Sequence, residues 1–330
     1  MAIANLDFAN VQSTHRQDMT TNKNLSTRHV RQSIKSSKLA EFDPQILQQG
    51  IDQFTIDYDQ DLASLWLFYN HPKRPCYTSE VLDEILNLQL RLRDGLSVTS
   101  DRLSAPRFLI WGSKMDGVFN LGGDLELFVT FIRNQDEEGL RRYAYRCVDT
   151  VFNNLTNLGL PLVNISLVQG DALGGGFEAV LSSDVVIAEK QSKFGLPEVL
   201  FNLFPGMGAY SLLCRRLDGA RAMQMIMSGR LYSAEELYEL GLVDVLAEQG
   251  EGVAAVRRYI EQSKRRHPML LAMNEVRQRC QPVTYDELID VTDIWVDTTL
   301  RLTKADLRRM ERLVKAQKRR SAGGCSLKER

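Results

Sequence analysis

Two glutamates stand where a carboxylate is uncommon. Glu178 lies in Phe177-Glu-Ala-Val-Leu181 and Glu198 in Gly195-Leu-Pro-Glu-Val-Leu-Phe201, with no other charged residue in either stretch. A carboxyl among apolar side chains keeps its proton to higher pH than in water, which suits proton transfer near neutrality. Glu178 closes the run Ser166-Leu-Val-Gln-Gly-Asp-Ala-Leu-Gly-Gly-Gly-Phe-Glu, which reads as a strand ending at Gly170, a turn, and three glycines opening a helix. Such a junction leaves N–H groups unpaired at the positive end of the helix dipole, and glycine lets a ligand come close to the backbone. Asn120-Leu-Gly-Gly-Asp124 offers a second glycine pair about 50 residues earlier. Two such loops could each give one N–H to a single oxygen, an oxyanion hole worth roughly 3 kcal/mol per donor in carbonyl chemistry. Two carboxyls beside it could then take a proton from one carbon and protonate a hydroxyl leaving the next. On residues alone the blander readings stay open. The glycines could be tight turns, and each glutamate could cap a helix or pair with a base such as Arg215.

Other chemistries lack their residues. The glycines carry no Gly-Lys-Ser/Thr ending for phosphate and lack the dinucleotide spacing, and Gly206-Met-Gly208 fails likewise. No Gly-x-Ser-x-Gly elbow occurs. Past residue 40 the only histidines are His71 and His267, and the cysteines at 76, 147, 214, 280 and 325 form no close pairs. That pattern is neither a metal set nor a disulfide framework, so no metal and no cofactor are expected, and the thiols should be reduced.

The elements that must carry these residues alternate. Leu62–Tyr69, Arg107–Trp111, Leu162–Val168 and Val185–Ala188 are short apolar runs bounded by turn residues and read as buried strands. Between them, Tyr143, Cys147, Val151 and Leu155 recur every fourth position and predict a helix over 139–157. Ser233 and Glu236 have capping-box spacing, which predicts a helix ending near Gly241. Strands alternating with helices make an α/β core over about 50–250. From 251 the pattern is helical, with Leu288, Val291, Trp295, Leu302, Leu307, Met310 and Val314 on one apolar face. Residues 1–45, rich in Ser, Thr, Asn and Gln with scattered bases, read as a disordered basic leader.

The chain has 330 residues and a net charge of −1, but the charge is uneven: residues 1–40 carry +4, residues 301–330 carry +8, and the stretch between carries −13. No run of about 18 apolar residues occurs, so no membrane-spanning helix is expected. Nor does a signal peptide core, and a cytoplasmic location follows. The basic end lacks a nucleic-acid reading motif, so no nucleic acid is expected as partner.

The motifs then become recognisable as a set. Asp171-Ala-Leu-Gly-Gly-Gly-Phe-Glu178, Asp184, Gly195-Leu-Pro-Glu198, Phe204-Pro-Gly-Met-Gly208, Leu231-Tyr-Ser-Ala-Glu235 and Gly241-Leu-Val-Asp244 resemble the crotonase (enoyl-CoA hydratase/isomerase) superfamily across about 105–250. Phe119-Asn-Leu-Gly-Gly-Asp-Leu125, Leu167-Val-Gln-Gly170, Leu196-Pro-Glu-Val-Leu-Phe201, Leu203-Phe-Pro-Gly-Met-Gly-Ala-Tyr-Ser211 and Ile294-Trp-Val-Asp-Thr298 look, within it, like the bacterial diffusible-signal-factor synthases. Ordinary hydratases have Ala-Gly-Ala-Asp where this chain has Leu-Gly-Gly-Asp, and a small residue in place of Phe177; both departures agree with the synthase branch.

The resemblance implies a spiral of repeated ββα units over 50–250 and a helical trimerisation region over 251–330, hence a homotrimer. It implies a 3-hydroxyacyl thioester on acyl carrier protein, or on CoA, that is dehydrated to a cis-2-enoyl thioester and hydrolysed to a free fatty-acid signal. Carried over by position, Gly123 and Gly175 donate backbone N–H groups to the thioester oxygen. Glu198 takes the α-proton, Glu178 protonates the departing hydroxyl, and Leu173, Met207 and Trp295 line the acyl pocket. Restraint by the receiver domain of a sensor kinase is also implied. A conventional enoyl-CoA hydratase of fatty-acid oxidation and a purely regulatory binding protein are the competing readings. Because carrier proteins are acidic and the body of the chain is too, a local basic patch must attract them. Arg141, Arg142, Arg215, Arg216 and the C-terminal cluster are the candidates.

Overall fold

A computed structural model describes residues 42–98 and 105–325. The leader expected over 1–45 falls outside the described residues as far as position 41.

A one-turn helix, α1 (Gln45–Gln48), leads into β1 (Phe54–Asp59) and β2 (Ser64–Tyr69), followed by α2 (Ser79–Val98). Three strand pairs come next. They are β3 (Phe108–Ser113) and β4 (Gly117–Asn120), then β5 (Val163–Val168) and β6 (Gly170–Leu173), then β7 (Val185–Glu189) and β8 (Lys193–Gly195). The first pair is followed by α3 (Leu125–Asn134) and α4 (Glu137–Leu155), and the second by α5 (Gly175–Leu181). After the third come a 3₁₀ turn (Pro197–Phe201), α6 (Ala209–Arg216) and α7 (Gly219–Ser228). The core ends with β9 (Leu231–Ser233), α8 (Ala234–Glu239) and β10 (Val245–Ala247). The C-terminal part is helical: α9 (Gly252–Ser263), α10 (His267–Cys280), α11 (Tyr285–Leu300) and α12 (Lys304–Cys325).

Each pair sends its first strand to one sheet and its second strand to another. The larger sheet runs β1-β2-β3-β5-β7-β10 and the smaller runs β4-β6-β8-β9. Apart from antiparallel β1–β2 and β8–β9, neighbouring strands are parallel. Successive units therefore stack as turns of a spiral, the α/β architecture the crotonase resemblance implies, with helices appended at the C-terminus.

Burial explains why the larger sheet was the legible one. All six residues of β5 and all five of β7 are buried, because helices cover both faces of the sheet and no polar face is needed. Val163, Ile165 and Leu167 pack on one side with Ala255, Val256 and Ile260 of α9. On the other side the core includes Tyr143, Cys147 and Val151 of α4. That helix starts at Glu137, where Asp136 caps the Gly139 N–H. The Ser233–Glu236 capping box forms reciprocally at 3.1 and 2.7 Å, and α8 ends before Gly241, whose φ is +74°.

Two expectations need correction. Gly170 does not end a strand; it begins β6, so close to β4 that a Cβ there would stand 2.1 Å from the Gly117 carbonyl carbon. The apolar tail is two helices, broken at Arg301–Thr303, where Thr303 and Asp306 cap each other's N–H groups.

Candidate active site

The first glycine loop follows β4 and is tied down at almost every amide. Leu121 N–H donates to the Pro75 carbonyl at 2.7 Å and Gly122 N–H to Asn120 Oδ1 at 2.7 Å. The Gly122 carbonyl accepts the Tyr77 N–H at 2.8 Å. Asp124 N–H donates to the Tyr143 hydroxyl at 3.1 Å, and that hydroxyl in turn donates to the Tyr77 carbonyl. The Asp124 carboxylate caps α3 and takes both terminal nitrogens of Arg74 at 2.8 and 2.6 Å, the two-pronged geometry that fixes orientation as well as charge.

The second loop joins β6 to α5. Gly174, at φ +52°, donates its N–H to the Gly195 carbonyl at 2.8 Å, and its own carbonyl accepts Phe177 and Glu178 N–H. The loops touch at Gly122, whose φ of +90° and bare Cα are both required. A Cβ there would stand 2.8 Å from Gly175 N and from the Leu173 carbonyl. A Cβ on Gly175 would lie 3.5 Å from Gly123 N, so these two amides are neighbours. Among the described residues, neither the Gly123 nor the Gly175 N–H has an acceptor. Such a pair can polarise one carbonyl oxygen.

Glu178 sits one turn into α5 and is only 1% exposed. Its Oε1 accepts Met207 N–H at 2.8 Å and Ala209 N–H at 2.9 Å, where α6 begins. Burial raises its pKa to about 7 against the pull of those two hydrogen bonds. Glu198, in the 3₁₀ turn, leans over Gly174: its Oε1 is 2.5 Å from where a Cβ on that glycine would be. Its Oε2 is buried with no hydrogen-bond partner among the described residues. Burial and then the charge of Glu178 push Glu198 up to about 8. Two hydrogen bonds favour the anion of Glu178 and no side-chain partner favours that of Glu198. Glu178 is therefore the readier of the two to ionise, and a proton shared by the pair favours Glu198 in the free protein. Among the described residues neither glutamate pairs with a base, and Arg215 instead grips Glu287 at 2.7–2.8 Å.

Both glutamates, Gly123 and Gly175 line one cavity of about 280 Å³, together with Leu173, Met207 and Trp295. The rest of its wall is mainly apolar, with Phe128, Phe201 and Leu203 prominent. Trp295 reaches it from α11, edge-on to Phe128 at 5.2 Å and flat against Gly206. Sequence reasoning missed much of the wall, Phe128 included. Tyr143 and Cys147 were visible only as a core stripe, and Leu313 of α12 lay outside every motif. No cluster of metal-ligating side chains occurs among the described residues.

The basic patch suggested for a carrier protein does not form from four of its candidates. Arg141 pairs with Glu137 and Asp293, Arg142 with Glu138, and Arg215 with Glu287, while Arg216 is turned inward to the Ser183 carbonyl.

Solved structures share this architecture. The enoyl-CoA hydratase of Bacillus halodurans matches with a TM-score of 0.66 at 22% identity, over 79% of this chain and 100% of its own. A putative polyketide biosynthesis enoyl-CoA hydratase of Bacillus subtilis matches at 0.61 and 17%, over 81% and 98%. DspI of Pseudomonas aeruginosa matches at 0.57 and 20%, over 86% and 98%. No described helix is long and apolar enough to cross a membrane. Residues 104–291 match the family described as enoyl-CoA hydratase/isomerase, and the chain belongs to that family.

Proposed function

We propose that the protein converts a 3-hydroxyacyl thioester, carried on acyl carrier protein, into a free cis-2-unsaturated fatty acid that serves as a quorum-sensing signal. The observation that carries the chemistry is the convergence of the buried Glu178 carboxyl, the half-buried Glu198 carboxyl and two acceptor-free N–H groups on one apolar cavity. The finer assignment rests on the motifs shared with the diffusible-signal-factor synthases.

The thioester oxygen lies between the Gly123 and Gly175 N–H groups, which stabilise the enolate formed when Glu198 takes a proton from C2. Glu178 delivers a proton to the C3 hydroxyl, and water leaves as the C2–C3 double bond forms. This direction requires the pair's proton on Glu178, the less favoured of its two places in the free protein, so the proton shifts as substrate fills the cavity. Water then adds to C1, and the same two N–H groups hold the tetrahedral oxyanion. The C–S bond breaks and the thiol leaves with a proton. One water is released and one consumed. Leu173, Met207 and Trp295 hold the acyl chain. The resemblance also implies assembly as a homotrimer through the helices over 251–330, which light scattering measures directly.

The test offers purified protein medium-chain 3-hydroxyacyl-carrier protein and the matching CoA thioester, with products resolved by mass and double-bond geometry. Free cis-2-enoic acid is expected. A trans-2-enoyl-CoA as sole product would replace this reading with a conventional hydratase. Inertness toward every thioester would favour a binding role at a sensor kinase.

A further inference from the structure

One helix of the described chain combines a wall of the cavity with a dense positive charge. Residues 304–325, the span of α12, carry +6, against −13 for residues 41–300. Leu307, Met310 and Val314 turn inward and are buried. Lys304, Arg308, Arg312 and Lys315 are exposed and recur at spacings of four, four and three. At 3.6 residues per turn those positions fall within an arc of about 80°, one stripe along the solvent side. The acidic residues of the helix are already engaged. Asp306 is buried and bonded to Thr303 and Arg309, and Glu311 pairs with Arg133 at 2.5 Å. Among the described residues no carboxylate pairs with any of the four cations of the stripe. Leu313, flanked by Arg312 and Val314, lines the cavity.

We infer that the α12 stripe is the docking surface for the acidic carrier protein that presents the acyl thioester, an assignment that rests on the function proposed above. The stripe and the cavity wall share one helix turn, so a partner seated on Arg308, Arg312 and Lys315 brings a tethered thioester to the cavity that holds Gly123 and Gly175. Residues 41–300 carry a net −13, so the local positive field of the stripe favours one place of encounter and one orientation. With Arg141, Arg142, Arg215 and Arg216 engaged elsewhere, the C-terminal cluster is what remains of the candidates the sequence suggested. A lipid surface fits less well, because over 304–315 the exposed positions carry no large apolar side chain to insert. Nucleic acid fits less well too, since α12 has no aromatic residue to stack on a base.

The experiment uses the full chain with Arg308→Glu, Arg312→Glu and Lys315→Glu combined. Binding of fluorescently labelled holo-carrier protein is followed by anisotropy at rising salt, and turnover is compared between a 3-hydroxyacyl-carrier protein and the same acyl group on pantetheine. The parent is expected to bind the carrier with salt-sensitive affinity. The variant should lose at least about tenfold in binding and in kcat/KM on the carrier substrate, and turn over the pantetheine thioester unchanged. Carrier binding that is absent in the parent, or unaltered in the variant, overturns the inference. So does an equal loss on both thioesters, or an altered oligomeric mass, which would make the stripe part of the fold or of a contact between copies. Retained binding of a vesicle or an oligonucleotide probe in preference to the carrier also overturns it. If the carrier docks as expected but no thioester reacts, the proposed function fails while the docking surface stands.

Discussion

Replacing Glu178 with glutamine separates what this side chain does for the reaction from what it costs the fold. The amide carbonyl can accept Met207 and Ala209 N–H as Oε1 does, so the local geometry survives. What disappears is a buried group with a raised pKa. The folded protein holds this proton more tightly than the unfolded chain does. Below the ordinary value of 4.5 both states are protonated and the group costs nothing; as pH rises toward about 7 the unfolded chain releases its proton first and stability falls. A displacement from 4.5 to about 7 corresponds to about 3 kcal/mol, fully felt above pH 7. Glu178→Gln should therefore match the parent in denaturant unfolding near pH 4 and exceed it by up to about 3 kcal/mol near pH 8.5. Dehydration of a 3-hydroxyacyl thioester should meanwhile slow by about 10²–10⁴, the usual worth of a proton-transfer group, or about 3–5 kcal/mol of barrier. A stability difference that does not change with pH would refute the account of burial, and undiminished turnover would refute the role in proton transfer.

The position of the shared proton on Glu198 makes a second forecast: with Glu198 serving C2, it is the arrangement from which water adds to a double bond. Measurable hydration of 2-enoyl thioesters near pH 7, read from loss of enoyl absorbance, is expected, and complete inactivity with both cis and trans substrates would contradict it. Tyr143→Phe removes the acceptor for Asp124 N–H and the donor to the Tyr77 carbonyl, each worth about 1 kcal/mol. It should lower kcat about tenfold with little change in KM, because the Gly123 amide loses its orientation; an equal rise in KM with kcat preserved would show that the tyrosine only shapes the cavity. Gly122→Ala combines a forbidding φ with a Cβ 2.8 Å from Gly175 N. A loss of at least about 100-fold in activity is expected from one displaced donor, with circular dichroism preserved, and near-normal rates would mean that the two amides do not share an oxygen.

How far the sequence revealed this arrangement depended on the length of each signal. Buried strands of five or six residues, such as Val163–Val168, were visible because an apolar run with turn residues at both ends has few other readings. The smaller sheet was not visible. Its strands are three or four residues long, Gly117–Asn120 and Lys193–Gly195 among them, too short to show a period, and they are fixed by pairing with distant neighbours. Both glutamates and both glycine loops could be located from their types and setting, yet their convergence is a product of the spiral and entered only through the family likeness. Tyr143 shows the remaining gap. Its place in the stripe of α4 predicted a core residue, which it is, and nothing in a hydrophobic period announces that a hydroxyl at its tip holds the amide of Asp124. Arg215 and Arg216 failed in the opposite way. As adjacent bases they suggested a surface patch, while tertiary contacts gave one a carboxylate and the other a buried carbonyl.

The pairing of β4 with β6 sets a length scale for the chemistry. The two loops leave the same ends of adjacent hydrogen-bonded strands, so they start one strand separation apart, about 4.8 Å. Two N–H groups spaced by roughly that distance can each reach an oxygen midway at an ordinary hydrogen-bond length of about 2.9 Å. The span of the cradle is thus inherited from the backbone repeat of the sheet and owes little to the identity of any side chain. Sequence can then diverge widely around a shared fold, as it has between this chain and structural neighbours only about one-fifth identical. Specificity is free to change in the walls while the ruler stays fixed.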